Sequence, residues 1–154
     1  MPKTVRKAAP RGKHRQQFAA LPFRFAGEGK IEVMLLTSRD TKRWVVPKGW
    51  PIRRLSPAAV AAREAYEEAG LEGTIEREKP IGRYRYGKRL DGGATAKVEV
   101  EVFLLRVTRQ METWPEQAER ETRWFDPEQA AELVAEPGLA LILRTAAGYG
   151  RPSE

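Results

Sequence analysis

Residues 49–70 read GWPIRRLSPAAVAAREAYEEAG, and this stretch places three glutamates on one short helix. Ser56 is a favourable N-cap residue and Pro57 suits a first helical turn. Gly70 can adopt the left-handed conformation that ends many helices. These signals predict a helix over residues 57–69.

The predicted helix has one charged face and one apolar face. At 100° per residue, an arc of roughly 140° holds the charged residues: Arg63, Glu64, Glu67 and Glu68. The opposite arc, which we expect to be buried, holds Ala58, Ala59, Ala62, Ala65, Tyr66 and Ala69. Like charges three or four residues apart destabilise a helix by about a few tenths of a kcal/mol per pair unless a cation intervenes. The glutamates therefore form either a solvated face or part of a metal site.

The spacing of these residues resembles the signature of the Nudix hydrolases, Gly-x5-Glu-x7-Arg-Glu-U-x-Glu-Glu-x-Gly-U, where U is a bulky apolar residue. The sequence agrees at Gly49, Arg63, Glu64, Glu67, Glu68, Gly70 and Leu71. It departs at Leu55, where the family usually has its first glutamate, and at Ala65, which is small. The resemblance implies an α/β Nudix fold, in which a mixed β-sheet is sandwiched between α-helices.

Further segments resemble one branch of that family, the diphosphoinositol polyphosphate and diadenosine polyphosphate hydrolases. They are KRWVVPKG at 42–49, WPEQ at 114–117 and ETRWF at 121–125. Lys48 departs from a glycine common in animal members. The branch implies hydrolysis of a phosphoanhydride bond in an anionic dinucleoside polyphosphate, diphosphoinositol polyphosphate or inorganic polyphosphate.

The resemblance also implies the metal site. By this resemblance, Mg²⁺, or alternatively Mn²⁺, binds to Glu64, Glu67 and Glu68 and to backbone oxygen near Gly49. The predicted catalytic residues are Arg63, Glu64, Glu67 and Glu68. Magnesium prefers oxygen ligands and keeps several waters, so a few carboxylates are enough. Arg63 is expected to orient a glutamate, either for catalysis or as a plain i,i+4 salt bridge.

Members of the family also use a glutamate outside the motif to bind metal or to act as a general base, so the resemblance implies a further candidate in this chain. In the run VEVEV at 98–102 the period-two alternation sends the valines to one face and the glutamates to the other. We prefer Glu101 to Glu99, because Glu101 lies further inside the strand. The alternative is that both pair with Arg83 or Arg85 across a hairpin.

Basic residues near the motif are candidates for binding the phosphates of a substrate. The wider set is Arg43, Lys48, Arg53, Arg54, Arg83, Arg85, Lys88 and Arg89. From it we predict Arg43, Lys48, Arg53 and Arg85 as substrate-binding residues. Lys48 is favoured because it adjoins Gly49, and each cation alone has the alternative of being an ordinary surface charge.

The flanking pattern predicts a single domain over 16–148. We expect a hairpin of strands 17–26 and 30–37, short strand 44–46, an extended stretch 73–86 and a strand over 94–107. Helices are expected from Asp126 to about residue 134 and over 138–147. The predicted tails are a basic segment, 1–15, and residues 149–154.

Composition limits the possible partners of this chain. Its 154 residues carry a formal net charge of +7 and no cysteine. A positive field favours anionic substrates, and no apolar run approaches a membrane span. We therefore expect a cytoplasmic monomer or homodimer without a membrane partner.

Two alternative functions remain open. The basic tail favours an RNA 5′-end pyrophosphohydrolase, in which that tail binds RNA. Leu55 favours a Nudix-fold binding or sensor module with weak catalysis, although all three motif glutamates are retained.

Overall fold

The computed structural model describes residues 15–150. Its strands are β1 (Arg15–Phe25), β2 (Ile31–Thr37), β3 (Trp44–Val45), β4 (Lys48–Gly49), β5 (Leu71–Ile75), β6 (Gly82–Arg89), β7 (Thr95–Gln110) and β8 (Thr122–Phe125). Its α-helices are α1 (Pro57–Ala69), α2 (Pro127–Leu133) and α3 (Pro137–Ala146), and short 3-10 turns cover Asp91–Gly93, Gln117–Glu119 and Ala147–Tyr149.

The strands form one mixed sheet. Strand β1 pairs antiparallel with β2 and β4 and parallel with β7. Strand β7 in turn pairs antiparallel with β5 and β6, and β2 with β3 and β8. The predicted β1–β2 hairpin around residues 27–29 is thus confirmed.

Helices cover both faces of this sheet. On one face Ala61, Ala65 and Ala69 of α1 pack with residues that include Phe103 and Leu105. The opposite face carries a larger core in which the valines of β7 meet α2 and α3. The mixed sheet sandwiched between helices that the sequence led us to expect is confirmed.

The extended stretch predicted over 73–86 is two strands rather than one. The Glu76 N–H donates to the Leu104 carbonyl at 2.9 Å, and the Ile81 N–H donates to the Val102 carbonyl at 2.8 Å. The intervening residues, 77–80, leave the sheet between these two bonds. Residues 77–79 are charged, and Pro80 has no N–H with which to hydrogen-bond to a neighbouring strand.

Helix α1 has the predicted ends. Ser56 accepts a hydrogen bond from the Ala59 N–H at 3.2 Å, and Gly70 has φ 73°. A Cβ on Gly70 would lie 3.0 Å from Cγ of Trp114 and closer still to its six-membered ring. The Trp114 indole donates to the Glu68 carbonyl at 3.2 Å. One tryptophan therefore covers the end of the helix and satisfies a carbonyl there.

The predicted burial of α1 is wrong in part. Ala65 and Ala69 are buried as expected, but Tyr66 is exposed. The glutamates are buried instead: the exposed fractions are 1% for Glu64, 6% for Glu67 and 6% for Glu68. The reason is tertiary, because β4 and the chain around Trp114 cover this side of the helix.

The predicted tails fall mainly outside the described residues. Arg15 of the predicted basic segment is the first residue of β1, and residues 1–14 and 151–154 lie outside. Within 15–150, no helix has the length and apolarity needed to cross a membrane.

Candidate functional site

A cavity of about 1050 Å³ lies beside the acidic side of α1. Its acidic lining residues are Asp40, Glu64, Glu67, Glu68, Glu116 and Glu136, and its basic ones are Arg39, Arg43, Lys48, Lys88, Arg89 and Arg120. The six acids and six cations cancel in formal charge, although the whole chain carries +7. The cavity is therefore charged on its walls without a net excess of positive charge.

Glycine at position 49 brings Glu64 against the backbone of β4. A Cβ at this position would lie 2.8 Å from Glu64 Cγ and closer still to the carboxylate. Residue 49 pairs with Phe18 of β1, so its backbone is fixed by the sheet. The fold thus holds one motif glutamate in direct contact with the motif glycine.

Arginines engage the other two glutamates. Arg63 Nε donates to Glu67 Oε2 at 3.0 Å across one helical turn. Arg120 Nη2 lies 3.8 Å from Glu68 Oε2, and both of these side chains are buried. The carboxylates are therefore positioned by cations on two sides.

Burial raises the pKa of Glu68 well above its usual range. The charge of Arg120 opposes this rise, whereas the negative charges of Glu64 and Glu116 add to it. A carboxylate in this environment gains from an added cation, because a positive charge nearby favours the ionised form. The electrostatics of the acidic wall therefore suit a cation.

The donor set fits a hard divalent ion, although no cage is preformed. Within residues 15–150, the side chains of His, Cys, Asp and Glu form no group of three or more that could hold a metal ion. Magnesium seldom needs one, because waters and substrate phosphates complete its octahedron. The contact between Glu64 and Gly49 and the burial of three carboxylates supply oxygen donors of the required kind. Glu64, Glu67, Glu68 and the Gly49 carbonyl are the groups that could hold it.

Lys48 also lines the cavity. Its Nζ lies 5.0 Å from the ring centroid of Tyr86, and the Tyr86 hydroxyl donates to Gln17 Oε1 at 2.6 Å. Burial lowers the pKa of Lys48, while the negative charge of Glu68 acts to raise it. This ammonium is therefore short of solvent and favours an anionic ligand.

The other predicted phosphate-binding residues divide into two groups. Arg43 lines the cavity with Lys48. Arg53 is exposed and Arg85 lies 3.7 Å from Glu99, and neither belongs to the lining.

Glu101 makes the contact that the alternative interpretation predicted. Its carboxylate lies 3.1 Å from Arg83 Nη2 across the β6–β7 pair, and it does not line the cavity. Its burial is also weaker, since 20% of the Glu101 side chain is exposed against 8% for Glu68. The three motif glutamates, Gly49 and Lys48 all line this cavity, whereas Glu101 does not.

Arg120 lines the cavity as well, although it is not among the residues predicted from the sequence. Its side chain is 9% exposed, pairs with Glu116 at 2.8 Å and donates to the Thr37 carbonyl at 3.1 Å. The i,i+4 spacing of residues 116 and 120 was a usable signal for that pair. Nothing in the local sequence indicates the contact with Glu68, which depends on how the chain returns to α1.

Comparison with known families identifies the domain. Residues 13–145 match the NUDIX domain family. Nudix hydrolase 12, mitochondrial, of Arabidopsis thaliana is 34% identical over 107 residues, which cover 68% of this chain and 52% of the relative. Diphosphoinositol polyphosphate phosphohydrolase 3-alpha of Mus musculus is 30% identical over 135 residues, 86% of this chain and 76% of the relative. The chain thus spans only about half of the first of these relatives.

Solved structures agree on the fold. A binary complex of the C. elegans Ap4A hydrolase superposes with a TM-score of 0.63 at 21% identity, covering 87% of this chain and 96% of that one. The NUDIX domain of Shewanella oneidensis NrtR complexed with ADP ribose gives a TM-score of 0.61 at 15% identity, covering 85% of each chain. With the family match over most of its length, the chain belongs to the Nudix hydrolase family.

Proposed function

We propose that this protein is a divalent-metal-dependent pyrophosphohydrolase. Its substrate is an anionic compound with a phosphoanhydride bond, of the dinucleoside polyphosphate or diphosphoinositol polyphosphate type. The observation that carries the proposal is the burial of three glutamates of one helix in the wall of a cavity that also carries six cations. Relatives named as Nudix hydrolases and as a diphosphoinositol polyphosphate phosphohydrolase support it.

The acidic wall is assigned the metal. Glu64, Glu67 and Glu68, with backbone oxygen of Gly49, would hold Mg²⁺ or Mn²⁺. A bound divalent ion lowers the pKa of water and neutralises phosphate oxygens. Arg63 acts on this wall as a positioning residue, because its hydrogen bond fixes the rotamer of Glu67.

The cations that line the cavity are assigned to the phosphates of the substrate. Lys48 is poorly solvated and borders Gly49, so it is suited to a phosphate next to the acidic wall. Arg43 lines the cavity and can bind a second phosphate as a bidentate donor. Arg53 and Arg85 stay predictions, although neither lines the cavity.

The test is hydrolysis of a panel of dinucleoside and diphosphoinositol polyphosphates with Mg²⁺ by wild type and Glu68→Gln. We expect the variant to lose activity by at least about tenfold to a hundredfold, since even groups that only orient metal ligands contribute that much. Glu72→Gln is the matched control, because Glu72 is exposed and pairs with Arg109 at 3.0 Å. Unchanged turnover in Glu68→Gln would remove the assignment.

A binding or sensor module is the second candidate, favoured by Leu55. Leu55 does not line the cavity, and its N–H donates to the Ile52 carbonyl at 3.1 Å. Substituting Leu55→Glu tests this candidate. A large gain from near-zero activity supports the sensor, whereas little change from robust activity supports the enzyme.

The predicted RNA activity depends on residues outside the described range. Deleting residues 1–14 tests it, since the hypothesis requires RNA binding and its salt dependence to fall. The cytoplasmic location also stays a prediction, because two plant relatives are named as mitochondrial and chloroplastic proteins.

A further inference from the structure

Tyr86 contacts two other side chains that line the cavity. Its hydroxyl donates to Gln17 Oε1 at 2.6 Å, and Lys48 Nζ lies 5.0 Å from the centroid of its ring. All three residues belong to the lining, and Gln17 is only 3% exposed. A buried glutamine, a tyrosine and a lysine therefore form one connected cluster in the cavity wall.

Strand pairing places these three side chains on one face of the sheet. Gln17 of β1 pairs with Val100 of β7, and Tyr86 of β6 pairs with the residue two positions before Val100. Lys48 of β4 pairs with Ala19, which lies two positions after Gln17 on β1. Paired residues share a face of the sheet, and so do residues two positions apart on a strand. The geometry of the cluster therefore follows from the sheet register rather than from a loop.

The ring of Tyr86 is held in place by its neighbours. Gln17 accepts the hydrogen bond from its hydroxyl, and the ring centroid of the core residue Tyr84 lies 6.3 Å from its own. The lysine that contacts this ring has a flexible four-carbon side chain with many rotamers. The fixed tyrosine thus provides a stable contact for a side chain that is mobile by itself.

Contact with an aromatic ring suits a lysine that binds phosphate. An ammonium over the face of a ring is attracted by the ring's quadrupole. Burial raises the pKa of Tyr86, so the ring is neutral and, unlike a carboxylate, adds no negative charge that repels phosphate. Immobilising a flexible side chain during binding weakens the affinity by about twofold to tenfold. A lysine already held against a ring avoids part of that loss.

We propose that Tyr86, anchored by Gln17, is a positioning residue that holds the Lys48 ammonium where it binds a phosphate of the substrate. This inference rests on the proposed function, which assigns Lys48 to the phosphates. Because Tyr86 acts through Lys48, removing its ring weakens phosphate binding only while the lysine is present. A purely structural tyrosine would instead affect binding equally with and without Lys48.

A double-mutant cycle in ligand affinity tests this dependence. The ligand is methylenediphosphonate, a non-hydrolysable analogue of pyrophosphate, titrated by calorimetry in the presence of Mg²⁺. Tyr86→Leu should weaken its binding by about threefold to tenfold, and Lys48→Met by about tenfold to a hundredfold. In the Lys48→Met background, Tyr86→Leu should change the affinity by less than about 1.5-fold. Equal weakening in both backgrounds, unchanged binding in Lys48→Met, or no binding by folded wild type overturns the proposal.

Two further variants separate the role of the ring from its contribution to the fold. Tyr86→Phe keeps the ring and loses the bond to Gln17, so its affinity should lie between those of wild type and Tyr86→Leu. Tyr84→Leu is the matched control, because Tyr84 lies two positions earlier on β6 and outside the lining. It should bind the analogue as wild type does. A loss in Tyr84→Leu as large as in Tyr86→Leu, or equal losses in the two Tyr86 variants, overturns the proposal.

Hydrolysis of the substrate panel is measured separately and distinguishes the two proposals. Equal weakening by Tyr86→Leu in both backgrounds, with hydrolysis intact, overturns the positioning role alone. Absence of hydrolysis of every substrate, with the dependence on Lys48 intact, overturns the proposed function alone.

Discussion

Two sets of glutamates in this protein have the same side chain and different surroundings. Glu64, Glu67 and Glu68 of α1 are buried in a cavity wall, whereas Glu99 and Glu101 of β7 are partly exposed and lie 3.7 and 3.1 Å from arginines of β6. The cross-strand arginines neutralise the β7 pair in solvent. The α1 set combines burial with mutual repulsion. The α1 glutamates therefore suit a metal ion because they are buried, and not simply because there are three of them.

The largest expected effect concerns activity. Glu64→Gln should reduce hydrolysis of a dinucleoside polyphosphate on the order of 10²–10⁴-fold, because it removes a carboxylate from the acidic wall. Glu101→Gln should change the rate by less than about threefold, since an exposed ion pair contributes little. Steady-state kinetics with Mg²⁺ measure both. A comparable loss in Glu101→Gln would place this strand glutamate in the catalytic site after all.

The contact between Glu64 and Gly49 gives the next effect. Gly49→Ala should push the Glu64 carboxylate aside and weaken Mg²⁺ affinity by about tenfold to a hundredfold, as for residues that orient metal ligands. Gly148→Ala is the matched control, since nothing lies within 4 Å of a Cβ at that position. Calorimetric titration with Mg²⁺ measures the affinity of each variant. Equal Mg²⁺ affinities in Gly49→Ala and Gly148→Ala would show that the contact between Gly49 and Glu64 does not contribute to metal binding.

Stability should also separate the two sets. Arg120→Gln leaves Glu68 and Glu116 without their buried cation and is expected to lower the free energy of unfolding by about 3 kcal/mol. Arg83→Gln breaks only the partly exposed pair with Glu101 and should cost less than about 1 kcal/mol. Urea denaturation in metal-free buffer measures both. Similar losses would mean that burial does not distinguish these pairs.

The smallest effect is the coupling between Arg83 and Glu101 itself. A double-mutant cycle should give about 0.2–1 kcal/mol, decreasing with added salt. A coupling above about 2 kcal/mol would contradict the description of this pair as a solvent-screened contact.

Local signals in the sequence were sufficient for the elements that carry the site. Ser56, Pro57 and Gly70 defined both ends of α1, and the break at residues 27–29 defined the first hairpin. Capping and turn chemistry act over a few residues, so they can be recognised without the fold. The spacing of the glutamates on α1 follows from the helical period alone.

Burial and long-range contacts could not be obtained in this way. Helical periodicity placed the glutamates on the side opposite the alanines, but only the folded chain shows that Gly49 of β4 contacts Glu64 and that Arg120 lies near Glu68. Arg120 reaches Glu68 because β8 returns the chain to β2. Each of these contacts depends on tertiary packing.

Direct binding of Mn²⁺, followed by electron paramagnetic resonance, tests the central claim that the buried glutamates of α1 hold a divalent ion. The wild type and Glu101→Gln should bind the ion with similar affinity, and Glu68→Gln should bind it at least about tenfold more weakly. Equal Mn²⁺ affinity in wild type and Glu68→Gln, with both variants folded, would contradict the account.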